Sequence, residues 1–274
     1  MTTTVSSHEA AHAQDPESDP EESLNIFTDP PDYYPPPPAP TTATHTLLTG
    51  QILTLSLVGH NPLWGHHLWN AGRLISTYLE KKPSLITGKT VLELGAGAGL
   101  PSVVCGLLGA KKVVSSDYPD EELVVNLKRN VEGGALSDKA EGGEKRVVAE
   151  GYLWGADPLP LMSHLPHLPE GETGGFDILI LADLLFNHSE HEKLVKSIEQ
   201  TLKKEKDAKA LVFFTPYRPW LFQKDMAFFE VVKERGFLVE KVLEEKMERV
   251  MFEGDRGDEE LRRTVFGFVV RWNL

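Results

Sequence analysis

From about residue 46 onward the apolar positions alternate between two rhythms. Short runs such as "TVLELG" (90–95), "KKVVSSD" (111–117), "FDILILADLLF" (176–186) and "KALVFFTPY" (209–217) are apolar on both faces and read as buried strands. Between them lie stretches with helical spacing: "LPSVVCGLLGA" (100–110), "DEELVVNLKRNV" (120–131), "SEHEKLVKSIEQTLKKEK" (189–206) and "WLFQKDMAFFEVVKERG" (220–236). "KRVVAEGYLW" (145–154) predicts a further strand followed by a loop of Gly, Pro and His. "TLLTGQILTLSLVG" (46–59) predicts a strand pair, and "HLWNAGRLISTYLEKK" (67–82) a helix with Leu68, Gly72, Ile75 and Leu79 on one face, stopped by Pro83. The last runs, "FLVEKVLEEKM" (237–247) and "TVFGFVVRWNL" (264–274), have no helical pattern between them and predict an antiparallel pair. Alternating strands and helices of this kind imply an α/β fold, Rossmann-like, with a mostly parallel sheet, helices on both faces and an antiparallel C-terminal edge.

The first 45 residues have no such rhythm. They hold eight acids and no Lys or Arg, and end in "DPPDYYPPPPAP", whose proline run favours an extended chain. Two parts are therefore expected: an acidic, Pro-rich disordered tail over 1–45 and one domain over 46–274. The tail carries most of the net charge of −13, leaving about −5 for the domain. A mildly acidic domain argues against gripping nucleic acid through phosphates and suits a basic protein partner. Neither a secretory signal nor an apolar run of membrane-spanning length is present, and Cys105 is the single cysteine, so a cytoplasmic monomer is expected.

Candidate chemistry is concentrated in "VLELGAGAGLPSV" (91–103). Gly95, Gly97 and Gly99 fall in the turn from the first core strand into its helix, where glycine permits positive φ and lets a ligand lie on the backbone. Asp117 ends the next strand, where a carboxylate can accept both hydroxyls of a ribose. Together these point to an adenosine ligand. The dinucleotide fingerprint would place a third glycine at position 100, which is Leu100. The run G-x-G-x-G preceded by Glu93 is instead the pattern of S-adenosylmethionine-dependent methyltransferases.

Six segments, "PLWGHHLWNAG" (62–72), "VLELGAGAGLPSV", "SSDYPD" (115–120), "EGYLWG" (150–155), "LADLLFNHSEH" (181–191) and "FTPYRP" (214–219), closely resemble the fungal elongation factor 1-alpha N-terminal and lysine methyltransferases. That family is a nicotinamide N-methyltransferase-like branch of the seven-strand protein methyltransferases. The resemblance implies S-adenosyl-L-methionine as cofactor and translation elongation factor 1-alpha as protein substrate, methylated on its N-terminal glycine and adjacent lysine. It further implies that Trp64, Gly95, Ala96, Gly97, Asp117, Trp154 and Ala182 bind the cofactor. From spacing alone, core packing is an equal alternative for both tryptophans. Asp183 and Phe186 match the D-x-x-Y element of lysine-methylating relatives and would position the substrate amine. Phe186 lacks the tyrosine hydroxyl, so only aromatic packing or cation contact survives there; a loop or helix cap is the plain alternative for Asp183.

Other side chains suggest less. His60, His66 and His67 flank the first tryptophan, and the His188/His191 pair has metal-ligand spacing without a third ligand nearby, so no metal is expected. "KDMAFFEVVKERG" reads as a core stripe and "LKKEKDAK" as a solvated helix end. Rival functions are small-molecule N-methylation, which would need a closed ring-sized pocket, and a non-catalytic module binding the translation machinery, which would tolerate a degraded glycine turn. An NAD-dependent oxidoreductase ranks last because of Leu100.

Overall fold

The computed structural model describes residues 38–133, 145–166 and 174–274. The expected tail lies almost wholly outside them.

Chain order begins with a hairpin, β1 (Thr41–Thr46) and β2 (Ile52–Leu57), paired antiparallel from Thr41↔Leu57 to Thr46↔Ile52. Its first strand therefore lies upstream of the expected run 46–59 and of the expected domain start. The TTATHT sequence hides it, because only His45 is buried there. Helix α1 (Asn70–Lys81) follows, and Ala71, Ile75 and Leu79 on it are fully buried.

The sheet then develops as β3 (Thr90–Leu94), α2 (Leu100–Leu107), β4 (Lys112–Asp117), α3 (Glu121–Glu132), β5 (Val147–Gly151), α4 (Leu159–Met162), β6 (Ile178–Ala182), α5 (His191–Thr201) and β7 (Lys209–Phe214). After these come α6 (Phe222–Met226), α7 (Phe228–Glu234), β8 (Phe237–Lys246), α8 (Glu259–Arg262) and β9 (Thr264–Trp272). Three expectations need correction. α5 stops at Thr201, because Leu202 leaves the helix to bridge beside Phe176, so "LKKEKDAK" is a connection and not a helix end. The predicted helix over 220–236 is two short helices that break at Ala227. A single helical turn, α8, interrupts the closing strand pair, its first turn capped by Asp258.

The seven strands run in the order β5-β4-β3-β6-β7-β9-β8; β9 is antiparallel to both β7 and β8, and the other pairs are parallel. Alternate residues of one strand face opposite layers. Thus Val91, Val113, Ile178 and Leu211 join the core under α1, α2 and α3, whereas Leu92, Val114, Leu179 and Val212 join the core under α5 and α7. Winding proceeds from β3 out to β5, then returns to β6 beside β3, where Leu94 pairs with Leu181. At such a reversal, connections leave neighbouring strand ends in opposite directions and open a crevice at the carboxyl edge.

A cavity at the strand reversal

A cavity of about 470 Å³ occupies that crevice. Its wall includes all nine site residues expected from the sequence: Trp64, Gly95, Ala96, Gly97, Asp117, Trp154, Ala182, Asp183 and Phe186.

One side is made by the turn from β3 into α2. Gly97 has φ +54° and faces open space, since an added Cβ would meet nothing within 4 Å. Gly95 has φ +62° and is approached closely: a Cβ there would stand 2.6 Å from Leu184 and 3.2 Å from Trp154. The first glycine lets the backbone line the cavity; the second lets the β6 connection and the post-β5 tryptophan close on it. Asp117 ends β4 with its carboxylate Oδ2 accepting Gly97 N–H at 2.5 Å and Oδ1 accepting Tyr118 N–H at 2.7 Å. Burial pushes its carboxyl above the ordinary aspartate range, and the two N–H donors pull it back. Each oxygen keeps a second lone pair for a further donor.

Beneath the turn, Glu93 is 1% exposed. Its Oε2 accepts Ser102 N–H at 2.9 Å and also the Ser102 hydroxyl. Burial nonetheless raises its carboxyl to about 8, so at neutral pH the floor of the turn is largely an uncharged acid.

The other side follows β6. Asp183 has φ +56°, uncommon for a residue with a side chain, and is 5% exposed. Its Oδ2 accepts Ala71 N–H of α1 at 2.8 Å and the Tyr217 hydroxyl at 3.2 Å, while Oδ1 accepts Thr215 N–H at 2.7 Å. Tyr217 in turn accepts Asn70 N–H at 3.2 Å. Asp183 thereby ties the ends of β6 and β7 to the start of α1. Burial raises it to about 7 despite those donors. Phe186 stands beyond it, 37% exposed at the rim.

The third wall is residues 62–69. Trp64 has φ +64° and is 48% exposed, its N–H held by Asn61 O at 2.9 Å. Its ring begins a connected aromatic group: Trp64 to Trp69 at 6.3 Å, Trp69 to Tyr217 at 5.0 Å, and Phe252, from the connection before α8, against His67 at 5.3 Å and Trp69 at 5.8 Å. His66 and His67 lie within it, their rings tilted and 4.1 Å apart, and burial first, then a neighbouring imidazole (His60 for His66, His66 for His67), holds both below the ordinary histidine range. His188 and His191 hold structural bonds: His188 Nε2 meets Asp225 Oδ1 at 2.7 Å, and His191 Nε2 donates to Leu185 O at 2.8 Å.

Sequence reasoning gave no role to Trp69, Tyr217 or Arg218. Trp69 and Arg218 line the cavity, and Tyr217 holds Asp183 from behind. All three lie in motifs already singled out, "PLWGHHLWNAG" and "FTPYRP", which was the available signal.

The donor set fits an adenosine-containing methyl donor: a backbone turn open to the ligand at Gly97, a carboxylate at the end of the second strand for a ribose, and aromatic walls at Trp64 and Trp154. Fold and site together define an S-adenosylmethionine-dependent methyltransferase of the Rossmann-like, seven-strand class. The fold is shared with the YcgJ protein from Bacillus, at a TM-score of 0.51 and 12% identity over 74% of this chain and 99% of that one. Residues 49–235 match the lysine methyltransferase family, and the chain belongs to it. It is 51% identical over 261 residues to the protein N-terminal and lysine N-methyltransferase efm7 of Neurospora crassa, covering 95% of this chain and 92% of that protein. The protein of the same name from Schizosaccharomyces pombe is 44% identical over 251 residues, covering 90% and 94%.

Proposed function

We propose that the protein methylates the N-terminal glycine amine and the adjacent lysine of translation elongation factor 1-alpha, in the cytoplasm. The observation that carries a macromolecular substrate is the cavity rim. Leu63 and Trp64 are each 48% exposed, Leu153 47% and Phe186 37%, an apolar border that a closed pocket for a small ring would cover. The described lining includes the carboxylates of Asp117 and Glu190 and one guanidinium, Arg218, which suits an amine-bearing segment. Relatives named for N-terminal and lysine methylation, matched over nearly their full length, support the same reading.

Bound S-adenosylmethionine supplies a methyl group on a sulfonium, a good leaving group. The chain's own task is then to place a neutral nitrogen in line with that methyl, and alignment of this kind accounts for much of a transfer rate. An α-amine, with a pKa of about 7.7 to 8, is partly neutral at cellular pH, whereas a lysine at about 10.4 needs help from its surroundings. The aromatic walls at Trp64, Trp69 and Phe186 disfavour the charged ammonium by desolvation while offering ring faces to a methylated cation. No strong general base is required for the α-amine.

The test is incubation with labelled S-adenosylmethionine and elongation factor 1-alpha freed of its initiator methionine, followed by mass mapping. Methyl groups on the N-terminal glycine or the next lysine are expected. Label on nicotinamide-like amines but not on the protein would overturn the reading in favour of small-molecule methylation.

A further inference from the structure

The segment from Leu184 to Glu190 contributes Leu184, Phe186, Asn187 and Glu190 to the cavity wall. It begins at the left-handed Asp183 and reaches α5 through one 3₁₀ turn, His188–Glu190, so its own backbone bonds do little to fix it. It is instead held from outside by the segment 218–228. Arg218 Nη2 donates to Phe186 O at 2.6 Å. His188 Nε2 donates to Asp225 Oδ1 at 2.7 Å. His191, whose ring donates to Leu185 O at 2.8 Å, stands edge-on to Phe228 at 5.4 Å, and Phe228 is fully buried.

Asp225 is the unexpected member of this group. It sits on the five-residue helix α6, is 5% exposed and does not line the cavity. A carboxylate so placed is costly unless a cation or donor meets it. Burial pushes it upward, and His188 followed by Arg218 pulls it back. His188, which bonds to Asp225, belongs to the cavity-lining segment, and Arg218, whose charge favours the Asp225 carboxylate, holds that segment through the Phe186 carbonyl.

We propose that Asp225, His188 and Arg218 form a clamp that positions the 184–190 segment for the acceptor amine, acting on substrate acceptance and not on cofactor binding. Asp225 and His188 are thus positioning residues: they touch neither the cavity nor its contents, and act by fixing where Phe186 and Asn187 stand. The proposal rests on the reading that this cavity accepts a protein amine. A displacement of about 1 Å at a reacting centre can cost on the order of a hundredfold in rate, which sets the scale of the effect.

The test compares Asp225→Ala and His188→Ala with Asp225→Asn, which keeps an oxygen for the His188 N–H, on the full chain. Three readouts are taken: affinity for S-adenosylmethionine by calorimetry, kcat and KM for the protein substrate, and deuterium exchange of peptides spanning 184–190 and 91–101. Both alanine variants are expected to bind S-adenosylmethionine as the wild type does, to lose about 10- to 100-fold in kcat/KM, and to exchange faster over 184–190 but not over 91–101. Asp225→Asn should recover most of the loss. Wild-type exchange over 184–190 in the alanine variants would overturn the clamp, as would a parallel loss of cofactor affinity or an Asp225→Asn variant no better than Asp225→Ala. A wild type that methylates no protein amine would count against the functional reading, and the exchange data would still decide the clamp.

Discussion

Asp117 and Asp183 each stand where a parallel strand reaches the carboxyl edge of the sheet, and each borders the same cavity, yet they are used differently. Asp117 is held by the N–H groups of the glycine turn and of its own neighbour, and is a half-buried residue of the cavity wall. Asp183 is closed in by donors from α1 and from the end of β7, separated from it by 112, 32 and 34 positions in the chain. The first aspartate offers lone pairs to a ligand; the second spends most of its own on assembling the site. Identical chemistry at equivalent strand ends therefore gives one carboxylate with lone pairs left over at the cavity wall and one that is a structural junction.

The sharpest way to break this comparison is Asp183→Ala. It leaves three buried donors, Ala71 N–H, Thr215 N–H and the Tyr217 hydroxyl, without an acceptor, at about 1–3 kcal/mol for each unsatisfied group. Denaturant unfolding should show a loss of about 3 kcal/mol or more, with Asp183→Asn losing clearly less because an amide oxygen remains. A stable, inactive Asp183→Ala protein would make this residue a chemical participant in place of a junction.

A smaller effect is expected at Gly97→Ala. The methyl enters open space, so the cost to the fold is the left-handed backbone alone, about 1–2 kcal/mol. That corresponds to a fall in Tm of about 2–4 °C per kcal/mol for a chain of this size. Cofactor affinity should fall more, because the methyl stands in the volume that the ligand fills. Unaltered affinity would remove the turn from the binding surface.

A pH slope follows from the two buried acids. Glu93 is held at about 8 against an ordinary 4.5, and Asp183 at about 7 against 3.8. Between these values the unfolded chain has released protons that the folded chain retains, so the stability these acids contribute is complete below about 4.5 and 3.8 and is lost as pH rises through about 8 and about 7. Wild-type Tm, compared with that of Glu93→Gln, should drop steadily as pH rises from about 5 to about 8. Parallel curves would mean that Glu93 is ionised in the folded protein.

The same contrast explains what could be read from the chain. The β3 turn, Asp117, the strand and helix alternation and the closing antiparallel strands were legible, because each is encoded within a run of about a dozen residues. Membership of the cavity by Trp64, Trp154, Ala182 and Phe186 followed from resemblance, whereas periodicity alone left the tryptophans open. The acceptor side resisted because it is assembled over long separations: Tyr217 with Asp183, His188 with Asp225, and Phe252 with His67 and Trp69. Local pattern also missed β1, whose threonines are mostly exposed, and the break at Ala227, where apolar spacing continues through a change of helix.

The division of the cavity is tested most directly by titrating S-adenosylmethionine into wild type, Asp117→Ala and Phe186→Ala in a calorimeter. Loss of the ribose acceptor removes hydrogen bonds to a charged group, about 1.5–3 kcal/mol each, so Asp117→Ala should bind at least tenfold more weakly while remaining folded. Phe186→Ala should bind as the wild type does and lose only methyl transfer. Wild-type affinity in Asp117→Ala, or a loss of affinity confined to Phe186→Ala, would contradict the assignment of the two sides.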